Sequence, residues 1–126
     1  MRNKTPVEKE ITLGHVVKVQ QVIDFIVLAE LQQGQRYGKQ IYQVIIQSLG
    51  GVGVNDSYLA QRLKALAEKG HAASHWEDDN RYNRYYEITD SGIEYFNQLL
   101  KELPERVESA QKVYRLFDKM LQKYDK

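Results

Sequence analysis

Cysteine is absent from the 126 residues, which excludes disulfide stapling and thiolate catalysis and fits a reducing compartment. No apolar run approaches the roughly 20 residues of a membrane span. The first ten residues are polar and lack the apolar stretch of a signal peptide, so the expected location is the cytoplasm, away from the membrane. Net charge is nearly missing too: 18 basic side chains oppose 17 acidic ones, for +1 overall. Phosphate contacts usually leave a stronger basic footprint, so a nucleic-acid surface on this chain has to be local. The common catalytic signatures are also wanting. There is no Gly-x-Ser-x-Gly, no His-Glu-x-x-His and no carboxylate pair in an apolar setting. Gly50-Gly51-Val52-Gly53 lacks the Lys-Ser or Lys-Thr of a phosphate loop and reads as a connector. His71 and His75 have no cysteine or matched carboxylate to complete a metal site. The expectation is a protein that is not an enzyme and uses neither cofactor nor metal.

What is present is periodicity. One domain fits the length. Residues 16–33 carry Val19, Val22, Ile23, Ile26 and Val27 around a wide arc, as a mostly buried helix does. A turn at 32–35 leads to a second helix over 37–49, with Ile41, Val44, Ile45 and Leu49 three and four apart. The third helix starts at a cap, Asn55 or Asp56, and shows Leu59, Leu63 and Leu66 on one side until Gly70 stops it. Ser57, Gln61, Lys64 and Glu68 face the other way, with Tyr58 and Arg62 on a flank. A helix buried on one side and polar on the other suits a DNA major groove. Asn55, Ser57, Tyr58, Gln61, Arg62 and Lys64 are its candidate DNA contacts.

Residues 71–77 and 84–89 are strand candidates around a turn rich in Asp and Asn, giving a two-stranded wing. Arg81, Tyr82 and Arg84 are placed to meet a phosphate or the minor groove. Tyr86 and Ile88 share one strand face and Tyr85 takes the other. From Asp90 onward, Phe96, Leu100, Leu103, Val107, Ala110, Tyr114, Phe117, Leu121 and Tyr124 recur at spacings of four and three, a seam of period 3.5. A seam that long needs a partner helix, most simply that of a second copy, so a homodimer is expected. Pro104 falls within the seam without changing its phase, which favours a kinked but continuous helix. The chain thus divides into an N-terminal arm at 1–15, a winged-helix domain at 16–89 and a C-terminal dimerisation helix at 90–126. The fold class is mainly α, an α+β winged helix-turn-helix.

Leu28-Ala29-Glu30-Leu31, the Tyr37-Gly38 helix start, the run from Leu63 to Gly70 and, most specifically, Arg84-Tyr85-Tyr86-Glu87-Ile88-Thr89-Asp90-Ser91-Gly92 together resemble the PadR family of transcriptional regulators. The resemblance spans residues 20–92. Where that family has Thr-Leu-Tyr in its reading helix, this chain has Tyr58-Leu59-Ala60. It implies a winged-helix dimer that occludes promoters on double-stranded DNA, in some members released by a small-molecule effector bound between subunits. A weaker resemblance, over residues 37–70, is to replication terminator proteins, which share a groove helix and a long dimerising last helix. A protein-interaction module using the same two features without DNA is the remaining alternative.

Overall fold

The computed structural model describes residues 17–51, 55–77 and 80–125, with the backbone alone at 77 and 80–83. The elements in order are α1 (Val19–Leu31), β1 (Arg36–Tyr37), α2 (Gly38–Ser48), α3 (Asp56–Glu68), β2 (Ala72–Glu77), β3 (Asn80–Ile88) and α4 (Asp90–Gln122). They fall into two compact units, Val19–Leu100 and one that takes in the chain from Lys101.

In the first unit the helix periodicities close on one another. Ile23, Val27 and Leu31 of α1 meet Ile41 and Ile45 of α2, Leu59, Leu63 and Leu66 of α3, and Ala72 and Tyr86 of the sheet. Each fully buried Leu or Ile contributes about 2 kcal/mol relative to leaving it in water. Asp24 is buried among these apolar groups, a feature that the periodicity of α1 does not announce.

The sheet has three strands, in the order β1-β3-β2 and all antiparallel, where the sequence suggested two. The extra strand pairs Arg36 with Tyr86 and Tyr37 with Tyr85. Two residues are too few to show alternation, so β1 is invisible to a pattern search. Tyr37 then leads straight into α2, its N–H donating to Gln40 Oε1 at 2.8 Å. The strand faces divide as expected: Tyr86 is buried, while Tyr85 lies beside His75 and Tyr37 on the opposite face.

Both ends of α3 are chemically defined. Asn55 is the cap, its side-chain oxygen accepting from the Tyr58 N–H at 2.9 Å. At the other end Gly70 takes φ +83°, while the N–H groups of Gly70 and His71 donate back to the carbonyls of Ala67 and Leu66. This pairing satisfies carbonyls that the helix would otherwise leave open.

The same corner anchors α4. Thr89 Oγ1 accepts from the Gly92 N–H at 3.0 Å and donates to the Gly70 carbonyl at 2.6 Å. A side chain on Gly92 would collide with the His71 carbonyl oxygen, so glycine is required there by close backbone approach rather than by its dihedral angles. From this cap α4 runs 33 residues and continues through Pro104, in line with the continuous path expected. The ring forfeits one backbone bond there.

Candidate nucleic-acid interface

The leucine stripe of α3 decides what its other side shows. With Leu59, Leu63 and Leu66 sealed, Asn55, Ser57, Gln61 and Lys64 are exposed together with Asp56, Ala60 and Glu68. Tyr58 is half-buried and packs against the core. The resulting surface offers hydroxyl, amide and ammonium groups from successive turns of one helix, the functional groups that pair with base edges and phosphates.

Arg62 departs from the sequence expectation. The periodicity puts it on the flank of the exposed face, but its guanidinium turns inward, with its side chain only 13% exposed. Nε donates to Asp24 Oδ1 at 2.9 Å and a terminal nitrogen to Oδ2 at 2.8 Å. The Tyr95 hydroxyl adds a third hydrogen bond to Oδ2, at 2.9 Å. The hydrogen bond to Asp24, opposed by burial, raises the Arg62 pKa above its ordinary value. Half-buried and forked onto Asp24 in this way, Arg62 is not among the exposed side chains of α3. The signal in the sequence is Asp24 itself, a carboxylate set between the apolar Ile23, Ile26 and Val27, which at that depth requires a cationic or hydrogen-bonding partner.

The wing supplies a second surface. Arg84 is exposed and stacks over the Trp76 ring, 4.4 Å from its centroid, as expected for cross-strand partners. Trp76 is 47% exposed and was not among the residues singled out from the sequence. The side chains of Arg81 and Tyr82 lie outside the described residues. The two histidines serve different elements: His75 Nε2 lies 2.8 Å from Glu87 Oε2. His71 precedes β2, stacks on Tyr95 at 4.7 Å and places Nδ1 2.7 Å from Ser91 Oγ.

The seam residues of α4 divide unequally. Phe96 stacks on Phe25 of α1 at 4.6 Å, and Leu103 and Ala110 are buried within the single chain, so these three are engaged without a partner copy. Leu100, Val107, Tyr114, Phe117, Leu121 and Tyr124 are exposed, as are Ile93, Leu116 and Met120. Ile93, Leu100, Val107, Tyr114 and Leu121 follow one another at intervals of seven, the repeat of one coiled-coil position. Among the described residues, no helix is long and apolar enough to cross a membrane.

The sequence pattern of the transcriptional regulator PadR-like family matches residues 27–98, which takes in α2, α3, the wing and the first turns of α4. No curated protein sequence matches the chain. Among solved structures, the chain is similar to a transcriptional regulator from Clostridium thermocellum at 24% identity and a TM-score of 0.60, covering 86% of this chain and 97% of that one. A protein from Streptococcus mutans UA159 is 26% identical with a TM-score of 0.57, over 85% and 92% of the two chains. MarR aligns at 22% identity with a TM-score of 0.53, over 91% and 82%. These likenesses agree with a winged helix-turn-helix.

Proposed function

Because the chain belongs to the PadR-like family of transcriptional regulators, we propose that it binds double-stranded DNA as a homodimer and represses transcription by occupying an operator. The observation that carries this reading is the exposed polar face of α3, where Ser57, Gln61 and Lys64 project from a helix whose other face is sealed by three leucines. Gln61 suits an adenine edge, and Lys64 suits a phosphate or guanine. Asn55 and Tyr58 sit at the start of the same helix, where a groove-bound helix meets the DNA backbone. Arg84, with Arg81 and Tyr82 beyond it on the hairpin, supplies the flanking contact.

The exposed heptad stripe of α4 supports the dimer. A row of half-exposed apolar residues this long is unusual on a monomer, and a second copy offers a complementary row. Two copies related by a two-fold axis present two identical reading helices, so the operator is a near-palindrome with half-sites centred roughly 10 or 20 base pairs apart. The test selects bound duplexes from random DNA and then varies the spacing. Inserting about five base pairs rotates one half-site to the far side of the duplex and should collapse cooperative binding, and inserting about ten should partly restore it. Tolerance of the half-turn insertion would overturn the rigid-dimer reading. Absence of any salt-dependent duplex binding would favour a protein-interaction module instead.

A further inference from the structure

We infer that Asp24, Arg62 and Tyr95 are positioning residues that set the rotation of α3 about its own axis and thereby choose which side chains it offers to the bases. The inference rests on the DNA-reading function proposed above. It starts from a contrast in how α3 is held. Leu59, Leu63 and Leu66 hold the helix down by apolar contact, which is non-directional and tolerates a small roll of the helix. The Asp24–Arg62 fork is directional: two parallel donors, at 2.9 and 2.8 Å, meet two oxygens of one carboxylate. Asp24 is fully buried on α1, and the Tyr95 hydroxyl on α4 donates to the same carboxylate at 2.9 Å. The α3 guanidinium is therefore referred to two other helices at one point.

Arg62 immediately follows Gln61 in the sequence, so the direction of one fixes the direction of the other, about 100° away around the helix. With side chains reaching about 5 to 6 Å from the helix axis, a roll of roughly 20° would carry their ends about 2 Å sideways. A bidentate amide contact with a base edge does not survive a displacement of that size. A buried ion pair is often no more stabilising than apolar residues of the same volume. Its effect here should therefore appear in recognition more than in stability.

The test uses the full chain, its selected operator and operators mutated at single base pairs. One variant is Tyr95→Phe, which removes a single hydroxyl and keeps the ring that stacks on His71. The other combines Asp24→Leu with Arg62→Met, which replaces the pair by apolar groups. Discrimination between operator and mutated operators should fall by about 5-fold in the first and about 30-fold in the second, the scale of losing base contacts. The salt slope should stay at the wild-type value, because no phosphate contact is lost. Wild-type discrimination in folded variants would overturn the inference. A salt slope lowered by about one in the double variant would also overturn it, since Arg62 would then be a phosphate contact. Should the double variant not fold, Tyr95→Phe alone decides. Should the wild-type protein bind no duplex, the function proposed above fails, and amide exchange in the free Tyr95→Phe protein decides the positioning role. Exchange along α3 speeded relative to α2 supports the role, and unchanged exchange in α3 rejects it.

Discussion

Helices α3 and α4 carry the same kind of apolar repeat, and the chain treats them oppositely. The three leucines of α3 are each 1% exposed, closed by α1, α2 and the sheet. On α4, Leu100 and Leu121 are each 51% exposed, though their spacing is no less regular. Periodicity therefore says that a helix has an apolar face and is silent about what covers it. In α3 the cover comes from the same chain, and the polar face is left to do the work. In α4 the heptad positions Leu100, Val107, Tyr114 and Leu121 stay exposed on the single chain.

The strongest way to break this contrast is to charge the open stripe. Leu100→Asp together with Leu121→Asp should abolish self-association, because each carboxylate would be buried at the seam without a partner. Cooperative unfolding of the Val19–Leu100 unit should survive, since Leu100 and Leu121 are outside its sealed core. Sedimentation showing the same mass as the unsubstituted protein would contradict this. Next in size, Leu63→Ala on the closed face should cost about 2 to 5 kcal/mol through lost burial and the cavity left behind. Thermal unfolding would show it as a lowered midpoint with oligomeric state unchanged below the transition. The smallest change sharpens the comparison from the polar side of α3: Lys64→Ala should leave stability within about 0.5 kcal/mol, as exposed substitutions do. The same substitution should flatten the salt slope of DNA binding by about 1.

Much of this arrangement was legible in the residues. The cap at Asn55 or Asp56, the stop at Gly70 and the opposite faces of Tyr85 and Tyr86 follow from local chemistry that acts within a few positions, and the structure takes Asn55 as the cap. What the residues did not announce shares a physical cause, which is distance along the chain. Arg62 falls on the exposed flank by periodicity alone, because its partner, Asp24, is 38 residues away on a helix whose pattern is apolar. Strand β1 exists only because β3 pairs with it. Phe96 fits the seam spacing, and nothing in its neighbourhood points to Phe25, 71 positions earlier, on which it stacks. Helix boundaries are written locally, whereas partner choice depends on what the fold brings near.

Trp76 is the single tryptophan in the chain, and it lies on β2 with Arg84 over its ring. Tryptophan emission consequently comes from the stem of the wing, with a guanidinium as built-in neighbour. Excited at the red edge, where tyrosines such as Tyr58 on α3 do not absorb, a fluorescence titration can therefore follow the wing alone. The protein carries its own optical probe for deciding whether the two surfaces engage a duplex together or one after the other.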